Sequence, residues 1–175
     1  MDMVYLDRIH DFLGAESSNL RMASVICFLY LYSVIMEDIL LPMEIHVQSE
    51  IPLGAGLGSS AALSVCLAAG LTGVLHQVQQ REKNIFNCLD SGNTRNEVCK
   101  RAFLSEKILH GTPSGIDNSV SSFGGIIKFV NGSITSLPTE NNRSLNVLLG
   151  TLQFFPICMS KLHDLENWTP FYICL

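Results

Sequence analysis

The stretch Ile51-Pro-Leu-Gly-Ala-Gly-Leu-Gly-Ser-Ser-Ala-Ala62 constrains this chain more than any other. Three glycines alternate with small or apolar residues, and two hydroxyls then open a long apolar run. Gly54, Gly56 and Gly58 permit positive φ and let a ligand come close to the backbone. Such a loop, running into a helix N-terminus, offers free N–H groups that suit an anion such as phosphate. Ser59 and Ser60 can cap the helix, or present a hydroxyl to a phosphate or its magnesium. The plainer reading is a tight turn with an ordinary N-cap. A strand before the loop and a helix after it are what a phosphate site needs.

The neighbouring patterns supply both. From Asn19 to about Asp38 the chain reads as a helix, and its apolar body, Ala23 to Met36, falls short of the roughly 20 residues that span a bilayer. A buried helix is therefore expected, with Pro42 marking the break. Glu44 to Gln48 alternates polar and apolar, which predicts a strand with His46 on its polar, solvated side. Ser60 to about Gln80 reads as a second helix. The polar run from Gln77 to Gly92 frays into loop. A third helix spans about Asn93 to His110 and stops at Gly111, where a C-terminal glycine belongs. Ile116 to Ser122 forms one or two further turns. Gly125 to Val130, Asn131-Gly132 and Ser133 to Leu137 predict a hairpin, because Asn-Gly favours the type I′ turn. Another short strand is expected over Leu145 to Leu149. The tail from Thr151 shows neither helical nor strand period.

A length of 175 residues suits one domain. Hydrophobic residues make up 47% and charged ones 15% of the chain, so it carries more apolar surface than so short a domain readily buries, as a piece of a larger protein would. A net charge of -5 without any extended Lys/Arg cluster argues against nucleic acid as a partner. Six cysteines show no CxxC spacing and five histidines no HExxH, so neither a metal cage nor a disulfide framework is expected. Cys66 and Cys99 lie within helical patterns and read as buried small hydrophobes. The N-terminal residues lack a basic segment of the signal-peptide kind, so the three Asn-x-Ser/Thr sequons carry no weight and a reduced, cytoplasmic compartment with no membrane partner is expected.

Two carboxylates stand out. Glu106 lies near the end of the third helix, facing the negative pole of the helix dipole. An acid there is solvated, paired with a neighbour such as Lys107 or Arg101, or holding a cation. Asp117 lies at a helix start, where the dipole favours its ionised form. On its own it reads as a helix-start residue or as a catalytic one.

The glycine loop is neither a Walker A nor a Rossmann motif. A strand, Gly-x-Gly-x-Gly-Ser-Ser and a helix resemble the second motif of the GHMP kinases. Within them, Ile51 to Ala62 together with His110-Gly-Thr-Pro-Ser-Gly-Ile-Asp-Asn118 looks like the mevalonate kinase family of the animal type, over roughly residues 16 to 150. The Phe28-Leu-Tyr-Leu-Tyr32 helix is similar too. The resemblance implies an α+β fold, the GHMP kinase N-terminal domain of ribosomal-protein-S5-domain-2-like form, incomplete at both ends. It implies residues 1–150 as a partial ATP-binding domain and 151–175 as a divergent tail.

The same resemblance implies ATP-dependent phosphorylation of mevalonate to 5-phosphomevalonate, in isoprenoid and sterol synthesis. Gly54, Ala55, Gly56, Leu57, Gly58, Ser59 and Ser60 would cradle the ATP phosphates, with Ser49 near the nucleotide. Ser60 and Glu106 would ligate Mg²⁺, and Asp117 would be the catalytic base. Beyond the small-molecule substrate, the resemblance leaves a homodimer open for the full-length family. The family's first motif, Pro-Gly-Lys with Gly-Glu-His, and its third, Gly-Ala-Gly-Gly-Gly, are not matched, so this chain by itself is expected to be inactive. The rival readings are another GHMP kinase, such as phosphomevalonate kinase or galactokinase, and a non-catalytic fragment acting as a binding module.

Overall fold

The computed structural model describes residues 20–52, 56–79, 89, 91–130, 132–137 and 171–172. The strand expected over 145–149 and nearly all of the tail lie outside the described residues. The described elements run α1 (Leu20–Met36), α2 (Ser59–Val78), α3 (Gly92–His110), α4 (Ile116–Phe123), β1 (Ile126–Val130), β2 (Ser133–Leu137) and β3 (Phe171–Tyr172). They form two compact units, a helical one ending at Gly124 and a second beginning at Gly125.

In the helical unit α2 is the central element. It packs on α1, α3 and α4, and α3 in turn packs on α1 and α4. Apolar positions recur on α1 at one-turn spacing, so Cys27, Tyr30, Leu31, Ile35 and Met36 face Val65, Leu67, Ala68 and Leu71 of α2 and Val98 and Ala102 of α3. Fully burying a single Leu, Ile or Val of this cluster contributes about 1.5–3 kcal/mol. That burial explains α2, which is long and apolar enough to cross a bilayer by length and composition alone. Here Ala61, Ser64, Val65, Leu67, Ala68, Leu71, Thr72 and Gly73 are buried in the unit, as in a core helix.

Local chemistry ends each helix. Glu37 adopts φ 50°, a left-handed cap just past Met36. The Tyr32 hydroxyl then donates to the Leu41 carbonyl at 2.9 Å and accepts from the Leu41 N–H at 2.7 Å, folding 39–41 back onto α1. The helix therefore stops before Pro42 is reached. Helix α3 ends at Gly111, whose N–H donates to the Lys107 carbonyl.

Three expectations need correction. Residues 44–48 form no strand, and Ile45 and Val47 are exposed. Alternation assigns side chains to faces only once a partner strand lies alongside, and no described residue pairs with this stretch. Cys66 is exposed and Cys99 only half-buried, whereas Cys27 is the buried thiol. On α2 the inward stripe passes through 61, 64, 65, 68, 71 and 72, which leaves Cys66 and Gly70 outside it.

In the second unit the strand order is β2-β1-β3, antiparallel throughout. The register pairs Val130 with Ser133, so a two-residue connection closes the hairpin as the sequence predicts, with Gly132 at φ +80°. Strand β3 places Phe171 and Tyr172 of the tail beside Lys128 and Ile127. The described elements are thus helical in the first unit and an antiparallel sheet in the second.

Candidate functional site

Helix α2 starts at Ser59, and its first backbone bond runs from the Ala62 N–H to the Gly58 carbonyl. The N–H groups of the turn before that bond lie outside the helix's own ladder. Gly58 occupies the N-cap position in left-handed geometry, φ 70° and ψ 21°, with no side-chain cap. Neither serine caps the helix, so both hydroxyls are free for other partners. Gly56 is left-handed as well, at φ 71°. A Cβ on Gly58 would stand 3.3 Å from the Asp117 Cγ, so the glycine is needed both for its φ and for the approach of that carboxyl.

Ser60, one residue into the helix, donates to Glu106 Oε1 at 2.6 Å. Ser64, one turn further on, donates to the same oxygen at 2.9 Å. The other carboxylate oxygen, Oε2, lies 3.7 Å from His110 Nε2, which itself stands 3.2 Å from the Ser60 hydroxyl. Ser60 has a single proton and gives it to Glu106, so the imidazole Nε2 is the donor to Ser60. Glu106 is 6% exposed. It is neither solvated nor paired with Lys107, whose ammonium lies over the Phe103 ring at 5.9 Å. Adjacent helical residues point about 100° apart, so Lys107 cannot share the direction of Glu106. The hydroxyls that hold this acid at the unfavourable helix end come instead from α2.

Asp117 occupies the first turn of α4, capped by Gly115 in left-handed geometry. Its carboxyl titrates above the usual aspartate range because of partial burial first and the nearby Glu106 charge second. The helix-start argument predicts the opposite direction, and burial with a like charge outweighs it. Next to it, Asn118 is 2% exposed and its Nδ2 has no hydrogen-bond partner among the described residues.

Ser60, Glu106, His110, Asp117 and Asn118 line one cavity of about 580 Å³ within the helical unit, with Ser64 one turn deeper. Of the residues expected at the site, Gly56, Leu57, Gly58, Ser59, Ser60, Glu106 and Asp117 border it. Ser49 does not; it is exposed, and its hydroxyl accepts from the Ile51 N–H at 3.2 Å. Gly54 and Ala55 lie outside the described residues. Ser64, His110 and Asn118 are the additions made by the structure. Each carried a faint signal, since Ser64 is one turn from Ser60, His110 one turn from Glu106, and Asn118 adjacent to Asp117. The donor set suits a hard divalent cation, since a carboxylate and a hydroxyl oxygen converge beside a phosphate-type loop.

Residues 23–125 match the family model for the GHMP kinases N terminal domain. Among curated proteins, human mevalonate kinase is 42% identical over 130 residues, which is 72% of this chain and 32% of that protein. The mouse mevalonate kinase is 39% identical over 147 residues, 82% of this chain and 36% of that protein. The Arabidopsis thaliana mevalonate kinase is 43% identical over 123 residues, 70% of this chain and 31% of that protein. The chain thus spans about a third of the length of these relatives.

Proposed function

The chain belongs to the GHMP kinases, and from that premise we propose that it carries the phosphate-holding and base-bearing part of a cytoplasmic mevalonate kinase. The observation that carries this reading is the convergence of Ser60, Glu106 and Asp117, from three different helices, on the cavity bordered by the glycine loop. The similarity to curated mevalonate kinases supports mevalonate as the acceptor over galactose or phosphomevalonate.

In this reading the loop N–H groups and the start of α2 hold the ATP phosphates as hydrogen-bond donors with favourable dipole. Ser60 and Glu106 would hold Mg²⁺, which would supply neutralisation of the phosphate charge. Asp117 accepts the proton of the primary hydroxyl of mevalonate. The hydroxyl oxygen bonds to the γ-phosphorus as the bond from that phosphorus to the bridging oxygen breaks, leaving ADP. An aspartate whose carboxyl titrates above the usual range is a stronger base once ionised than an ordinary one. Positioning supplies most of the rest, worth about 7–11 kcal/mol in favourable cases.

The test transfers residues 23–125 into a complete mevalonate kinase and measures ADP release with mevalonate, phosphomevalonate and galactose. Turnover that depends on mevalonate is expected. Preference for either other acceptor, or tight Mg·ATP binding with no turnover on any, would replace this reading.

A further inference from the structure

A buried polar chain lies behind the carboxylate. The Ser105 hydroxyl donates to Cys27 Sγ at 2.9 Å, Cys27 Sγ lies 3.4 Å from the Ser64 Oγ, and Ser64 donates to Glu106 Oε1 at 2.9 Å. Ser64 and Ser105 are 0% exposed and Cys27 is 1% exposed. Proton inventory fixes the direction of the middle link. Ser64 has one hydroxyl proton and gives it to Glu106, so in its contact with Cys27 it must accept, and the thiol must donate. Cys27 then accepts from Ser105, as its geometry has it. The chain runs one way, from α3 through α1 to α2 and back to α3. Burial, the largest influence on Cys27, pushes the thiol up and keeps its S–H in place.

We propose that Ser64, oriented by the Cys27 thiol, is a positioning residue that keeps the Glu106 carboxylate in place at the cavity wall when the Ser60 hydroxyl oxygen turns to a divalent cation. The inference rests on the reading that Ser60 and Glu106 hold that cation. Two hydroxyls share one carboxylate oxygen, and they are not equivalent. Ser60 borders the cavity and touches His110, whereas Ser64 is one turn deeper, and its other contact is the thiol. Once Ser60 rearranges, Ser64 is the partner left to Oε1. A carboxylate that reoriented at that moment would meet the cation in the wrong place, as expected when a ligand's own hydrogen-bond partner is lost.

The test measures ATP affinity of the full chain by calorimetry with and without Mn²⁺ and takes the ratio as the metal enhancement. Ser64→Ala should cut the enhancement by ~10-fold or more, the usual scale for losing a ligand's supporting bond, with metal-free ATP affinity unchanged. Cys27→Ala should reduce it in the same direction, and Cys27→Ser, which can still accept and donate, should restore it. An unchanged enhancement in Ser64→Ala, with loss in Glu106→Gln, overturns the proposal and leaves the cation reading standing. An enhancement that survives Glu106→Gln and Ser60→Ala overturns both. Should Ser64→Ala fail to fold by circular dichroism, the two Cys27 variants decide: loss in Ala with recovery in Ser upholds the relay, and equal behaviour of the two overturns it.

Discussion

The end of α3 and the start of α4 each carry one carboxylate of the site, and they reverse what helix electrostatics alone would assign. Glu106 stands where the dipole disfavours an anion, yet it is the more deeply held, with two serine hydroxyls on one oxygen. Asp117 stands where the dipole favours an anion, yet its carboxyl is pushed up by burial and by Glu106. A dipole worth about 0.3–1 kcal/mol at the surface yields to specific hydrogen bonds and to desolvation. The difference agrees with the proposed roles: a carboxylate held by two hydroxyls suits holding a cation, and one whose pKa is raised suits taking a proton.

Breaking the Asp117 side of this comparison should have the largest effect. Asp117→Asn in a complete relative carrying residues 23–125 should lower the rate by at least ~10²-fold, a typical general-base contribution, while ATP affinity holds. Steady-state kinetics with a parallel binding measurement would show it, and undiminished turnover would remove Asp117 from the chemistry.

On the other side, Glu106→Ala leaves the Ser60 and Ser64 hydroxyls without their shared acceptor. An unmade buried bond costs about 1–3 kcal/mol, so denaturant unfolding should register a loss of that order. Glu106→Gln keeps an acceptor oxygen and should lose less. Equal stability of the two variants would mean that charge, not the hydroxyl pair, holds the site.

Gly58→Ala acts on the contact that separates the two acids. Its left-handed φ alone costs an L residue about 1–2 kcal/mol, and the new Cβ would press on the Asp117 carboxyl while leaving the Glu106 bonds intact. Thermal unfolding should fall accordingly, and activity should drop more than Mg·ATP binding does.

The smallest effect sharpens the comparison by titration. In metal-free protein, removing the Glu106 charge with Glu106→Gln should lower the Asp117 titration midpoint, since that charge raises it. Burial, the larger cause, remains, so the midpoint should still lie above the ordinary aspartate range. Carboxyl NMR across a pH series reads the midpoint directly, and an unmoved value would show that burial acts alone.

Much of this protein was legible in its residues. The glycine loop before an apolar helix, the helix ends near Met36, Val78 and Gly111, and the Asn131-Gly132 hairpin all follow from local rules: φ preference, one-turn periodicity and turn chemistry act within a few residues. The family resemblance rested on such local strings as well. What the tertiary structure decided is everything that depends on which surfaces meet. It leaves 44–48 without a strand partner among the described residues, turns Cys66 outward and Cys27 inward, and brings Ser60 and Ser64 of α2 against Glu106 of α3, 42 to 46 positions away. It also sets the sign of the Asp117 shift. Burial and hydrogen-bond geometry are properties of packed pairs, and a sequence pattern states only which side of its own helix each partner would face.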